Sequence, residues 1–140
     1  MRLSYYSDLV NDKSLEGGCF LLKYKYEERW KVILYKSPGG DYPVQKFIDD
    51  LEIKAQSKVK DTIKLLQEFG IRLGLPHVKK LTGTQLWELR IVGGDSIRVL
   101  YVAVTGKKFV LLHGFKKKRQ ETPPKEIKVA KDRLAEYRLR

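Results

Sequence analysis

Residues 84–119, TQLWELRIVGGDSIRVLYVAVTGKKFVLLHGFKKKR, decide the fold. They hold three apolar runs of strand length, parted by turn signals at Gly93-Gly94-Asp95 and Thr105-Gly106-Lys107. Val, Ile, Leu, Tyr and Phe dominate, the composition of a pleated and packed surface. In the first run Trp87, Leu89 and Ile91 alternate with Glu88 and Arg90, so one face is apolar and the other charged. The second run, Ile97 to Val104, is apolar on both faces apart from Arg98. The third, Lys108 to Phe115, runs directly into Lys116-Lys117-Lys118-Arg119. Connections this short join antiparallel neighbours, which predicts a three-stranded meander. An arginine inside an apolar strand is costly unless it is used. Arg90 and Arg98 are therefore candidates for phosphate contact, the alternative being ion pairs with Glu88, Asp95 or helix carboxylates.

Working outward, Trp30 to Lys36 reads as a strand, followed by a turn through Pro38-Gly39-Gly40. Tyr42-Pro43-Val44 opens a helix, with proline where a missing N–H costs nothing. Val44, Phe47, Ile48 and Leu51 make one apolar stripe at helical spacing. A second helix places Val59, Ile63, Leu66 and Phe69 inward, and Gly70 is suited to end it. Residues 71–83 read as a connector carrying His77, Lys79 and Lys80. After the meander, Thr122 is predicted to cap a final helix that begins with Pro123-Pro124. Its apolar stripe is Ile127, Ala130, Leu134 and Tyr137, with Lys125, Lys128, Lys131 and Arg133 on the opposite side. Strand, two helices, three strands and a helix predict a small α+β domain over residues 30–140. Residues 1–29 read as an N-terminal extension; Lys23-Tyr24-Lys25-Tyr26 within it suggest an extra edge strand.

Length and charge bound the function. The 140 residues are enough for a core without disulfide or metal. The single cysteine, Cys19, makes a reducing compartment the easier reading, and the absence of a long apolar stretch or signal core predicts a cytoplasmic protein with no membrane role. The net charge of +12 is uneven: from Lys107 to Arg140 there are 12 Lys/Arg against 4 Asp/Glu, or +8. Such a surface favours polyanions. Two separated histidines and one cysteine make no metal signature, and no cofactor motif is present.

The order of these pieces, with these residues, resembles the RelE/ParE superfamily of toxin–antitoxin toxins, in its phage-derived HigB-like branch. The resemblance rests on Tyr42-Pro43-Val44 with Phe47-Ile48, on Lys80-Leu81 followed by Leu86-Trp87-Glu88-Leu89-Arg90, on Arg98-Val99-Leu100-Tyr101, and on Leu111-Leu112-His113-Gly114-Phe115-Lys116-Lys117 with Thr122-Pro123. It implies a RelE-like fold: a small, mainly antiparallel sheet, a helical hairpin on its N-terminal side and a C-terminal helix. It implies a ribosome-dependent mRNA endoribonuclease needing no metal, restrained by a cognate helix-turn-helix, HigA-like antitoxin in a hetero-oligomer. Arg90, Arg98, Lys116 and Lys117 then match the basic side chains that hold the phosphate, with Lys79, Lys80, Lys118 and Arg119 as flanking RNA contacts. The different-class alternative is a non-enzymatic, ParE-like toxin that poisons DNA gyrase by protein contact, or a plain basic nucleic-acid-binding protein.

Arginine suits two-pronged phosphate contact and lysine a point charge. Cleavage by a neighbouring 2′-hydroxyl also needs a base. Glu88 shares the face of Arg90 by strand parity and is the catalytic candidate, although a surface ion pair with Arg90 is the commoner fate of such a residue. No tyrosine follows the basic run before the last helix, unlike the better-known RelE pattern; Gln120-Glu121-Thr122-Pro123 stands there instead. His113 alternates with Phe109, Leu111 and Phe115 and reads as a partly buried structural histidine; His77 sits in a polar connector and reads as a surface residue without a role, the alternative being a swing toward RNA.

Overall fold

The computed structural model describes residues 29–93 and 96–140. Among these, five strands form one sheet: β1 (Lys31–Leu34), β2 (Val78–Lys80), β3 (Trp87–Arg90), β4 (Ile97–Val104) and β5 (Lys108–Lys116). Their order is β1-β5-β4-β3-β2, with β1 parallel to β5 and every other pair antiparallel. The three runs of residues 84–119 are thus the meander that the turn lengths require. Between β1 and β2 come α1 (Pro43–Asp49), α2 (Ile53–Phe69) and a 3-10 turn at Gly70–Arg72; α3 (Pro124–Arg138) follows β5. This α+β arrangement of three helices and a mostly antiparallel sheet is consistent with a small RelE-like fold.

The helices cover opposite faces. Val44 and Ile48 of α1 and Val59, Ile63 and Leu66 of α2 pack against Leu89, Val99, Tyr101 and Leu111. Ala130 and Leu134 of α3 pack on the other face against Leu86, Leu100, Val110 and Leu112. Each fully buried side chain of this kind stabilises by about 1.5–3 kcal/mol, so a strand covered on both sides gains most from being apolar on both. That is why β4 carries no alternation.

Five details depart from the sequence reading. The connector contains β2, which pairs with β3 as the sheet edge; with Val78 its only apolar residue, it is too short to show a period. Phe69 is not inward but 44% exposed, because the chain turns away at Gly70. Thr122 does not cap α3, whose N-cap is Pro123 with no side-chain cap. Arg133 is not on the solvent side of α3; its Nη1 donates to Leu112 O at 2.8 Å. The fifth is a β-bulge: Leu100 pairs with His113 but Tyr101 with Leu111, leaving Leu112 as an extra residue. The bulge reverses parity along β5. Phe109 and Leu111 face α2, whereas His113 and Phe115 face α3. The suggested extra edge strand at residues 23–26 lies outside the described residues.

Gly114 shows how tightly α1 sits on β5. A methyl group there would lie 2.4 Å from the Phe47 ring. Gly114→Ala is expected to cost about 1–3 kcal/mol through overpacking. Urea unfolding reads this as a lower midpoint; an unchanged midpoint would show that Phe47 yields freely.

Candidate functional site

Strand parity sends Glu88 and Arg90 to the α3 side of β3, opposite the apolar Trp87, Leu89 and Ile91. Register then sets Arg90 directly across from Arg98 on β4. One step beyond β5, the Lys117 N–H donates to Ser96 O at 2.8 Å, extending the ladder and bringing Lys117 to the same place. The three cations meet on one oxygen. Glu88 Oε1 lies 3.3 Å from Arg90 Nε, 3.3 Å from Arg98 Nε and 3.6 Å from Lys117 Nζ. The Thr122 hydroxyl donates to the other oxygen, Oε2. The Arg90 contact is a hydrogen bond. Arg98 Nε is buried and misaligned for one, so that contact is a charge attraction, while Arg98 Nη1 donates to Ile97 O at 2.9 Å.

Exposure separates the roles. The Glu88 side chain is 0% exposed, whereas Arg90, Arg98 and Lys117 are 26%, 17% and 6% exposed. Glu88 is therefore not the surface carboxylate that its strand position suggested. It is the buried centre of the cluster. Burial alone would raise its pKa, but the Thr122 hydroxyl, Lys117, Arg90 and Arg98 together hold it below the ordinary carboxylate range. Burial lowers the pKa of Lys117, and repulsion from Arg98 and Arg90 adds to this against the pull of Glu88. Arg98 is lowered by burial and by Arg90 in the same way, again against Glu88.

The remaining sequence candidates spread around this centre. Lys79 stands opposite Glu88 on the exposed edge strand. Lys80 stands opposite Trp87 on the α2 side, its ammonium 5.1 Å from the centre of that ring. Lys116 stands opposite Ile97 and is exposed, so it leaves the cluster that its neighbour joins. Lys118 and Arg119 are exposed on the segment leading to α3. Thr122 is the residue that sequence reasoning missed; Thr-Pro reads as a helix start, and nothing local ties it to a carboxylate 34 residues away.

The histidines take no place on the carboxylate. His113 Nε2 bonds Glu126 of α3, and Arg133 Nη1 donates to His113 Nδ1 at 3.1 Å. With Nδ1 accepting, Nε2 carries the hydrogen, and the ring is neutral. Burial lowers the pKa of His113 despite Glu126, and Arg133 lowers it further. It docks α3 on β5, the structural role its sequence context suggested. The carbonyl of His77 accepts from the Arg90 N–H at 2.7 Å, and its ring Nδ1 is buried without a hydrogen-bond partner.

None of the curated proteins compared with the chain matches it. A family model described as Phage derived protein Gp49-like (DUF891) matches residues 46–135, which run from α1 through most of α3 and include every member of the cluster. With 90 of 140 residues matched, the chain belongs to this Gp49-like family of phage-derived, toxin-like proteins.

Proposed function

We propose that the protein is the toxin of a type II toxin–antitoxin system, of the HigB-like branch of the RelE superfamily, and that it cleaves mRNA on the ribosome without a metal ion. The observation that carries this reading is the charge of the cluster. Arg90, Arg98 and Lys117 against Glu88 leave an excess of +2 in a largely buried patch. Burial is the chief cause that lowers the pKa of Lys117 and of Arg98, and the repulsion among the cations adds to it, which one more anion would offset. A phosphodiester is that anion. Arg90, the most open of the three, meets the phosphate first, with Arg98 beside it and Lys117 beneath.

In the proposed reaction the 2′-hydroxyl gives its proton to solvent water as its oxygen attacks the adjacent phosphorus, the bond to the 5′-oxygen breaks, and the products are a 2′,3′-cyclic phosphate and a 5′-hydroxyl. The two guanidiniums stabilise the extra charge on the phosphorane oxygens. Lys117, more acidic than an ordinary lysine, is suited to give the leaving oxygen its proton. Glu88 holds the cations and is too deeply buried to reach a 2′-hydroxyl, which moves it from base to organiser. Lys79, Lys118 and Arg119 extend the basic surface along the RNA. The +8 C-terminal segment is also the surface an acidic, helix-turn-helix antitoxin would cover. Among the described residues no helix is long and apolar enough to cross a membrane.

A site that holds one phosphate leaves the rest of a flexible RNA free, so it orients unbound RNA poorly. Alignment by the ribosome removes an entropic cost of roughly 7–11 kcal/mol in well-oriented systems. The expected result is clear cutting of a transcript during translation and little or none once its start codon is destroyed. Primer extension on the two transcripts checks this. Equal cuts on both would mean a free ribonuclease, and DNA breaks without new RNA ends would mean the protein-contact class of toxin.

A further inference from the structure

The segment after β5 closes on the carboxylate from both ends. Lys117 Nζ approaches Glu88 Oε1 at 3.6 Å, and the Thr122 hydroxyl donates to Oε2 of the same group. Between these two anchors the chain carries Lys118 and Arg119, both exposed. Strands β3 and β4 and the continuation of β5 meet on this carboxylate, and β2 pairs alongside β3. Arg90 belongs to β3, Arg98 to β4, Lys117 to the continuation of β5, and Lys79 faces Glu88 from β2. Only Thr122 among them is uncharged, and only Thr122 binds Oε2.

We propose that Thr122 is a positioning residue: by donating to Glu88 Oε2 it fixes the carboxylate on which the three cations converge and pins the segment 117–122 that bears Lys118 and Arg119. A carboxylate with one oxygen free can turn about its terminal bond, so a hydroxyl on Oε2 decides where Oε1 points. Oε1 in turn sets the separation of Arg90, Arg98 and Lys117. The hydroxyl also favours the ionised form, because it can give its hydrogen bond only to an unprotonated oxygen. Thr122 touches no substrate in this scheme. It acts through Glu88, and the inference rests on the proposed ribonuclease reading for its functional consequence.

The test compares the full-length protein with Thr122→Val and Thr122→Ser, using two readouts. One is the titration of Glu88, followed by carbon NMR of labelled glutamate carboxyls and assigned with Glu88→Gln. The other is cleavage of a translated message. In Thr122→Val, Glu88 is expected to titrate at higher pH than in the wild type, and cleavage to fall roughly tenfold, the scale of a lost hydrogen bond to a charged group. Thr122→Ser is expected to restore both. Thr122→Ala replaces Thr122→Val if the latter does not fold. An unmoved Glu88 titration, or a serine variant as impaired as the valine one, would overturn the proposal, as would a moved titration with undiminished cleavage. If the titration moves as expected but the wild type leaves the translated message intact, the positioning stands and the ribonuclease reading fails.

Discussion

Arg98→Ala is expected to cut cleavage of a translated message by roughly a hundredfold or more, the scale of losing one preorganised donor at a developing oxyanion, while the protein stays folded. The fold survives because Glu88 keeps Arg90, Lys117 and Thr122 as partners, and because the residue opposite, Phe115, is already packed against the α3 face. Arg98→Lys keeps the charge but not the planar fork, so it is expected to fall between wild type and Arg98→Ala. Two neighbouring lysines sharpen the measurement. Lys117→Ala removes a member of the cluster and is expected to lose activity; Lys116→Ala alters an exposed residue on the other face and is expected to cleave like the wild type. Growth inhibition at matched expression, with thermal unfolding to verify the fold, separates these cases. Full toxicity in Arg98→Ala, or equal losses from the two lysines, would place the active surface elsewhere.

Those two lysines also show what the sequence can and cannot specify. Alternation along β3 was enough to put Glu88 and Arg90 on one face, and the short turns were enough to pair β3 with β4 and β4 with β5. Register was not legible, because whether Arg98 stands opposite Arg90 depends on the turn at Gly93, and turn signals mark a position without fixing a pairing. Parity along β5 failed at Leu112, where the bulge inserts one residue with no glycine or proline to announce it. Counting by twos from Phe109 therefore put His113 on the wrong side of the sheet. Lys116 and Lys117 looked equivalent as members of one basic run; the ladder to Ser96 separates them. The burial of Glu88 was hidden for a different reason. A lone acidic residue in an amphipathic strand reads as solvated, and only the convergence of Arg98, Lys117 and Thr122 from distant stretches makes an ionised carboxylate tolerable inside.

Replacing that carboxylate has the largest expected effect on stability. In Glu88→Gln the side-chain shape is kept, but Arg90, Arg98 and Lys117 are left close together with no opposing charge. Breaking a buried ion cluster from one side costs about 3–5 kcal/mol, because the remaining charges stay desolvated and unpaired. The acid side of the stability curve carries a second signature. Glu88 has a folded pKa below its ordinary value of 4.5, so its stabilising contribution is complete above that pH and is lost as the pH falls through the folded pKa. In Glu88→Gln this part of the acid-induced loss disappears, and the curves of the two proteins converge as the pH drops. Glu136, also held low by Arg140, titrates in both proteins and cancels from the comparison. Urea unfolding from neutral pH down through this range measures both effects. The comparison also tests the organiser role of Glu88 against that of a general base. A general base replaced by glutamine loses cleavage with stability and its acid slope unchanged, whereas an organiser loses cleavage and stability together. A Glu88→Gln protein as stable as the wild type, with the same acid slope, would return Glu88 to the role of base and remove the charge-cluster argument from the mechanism.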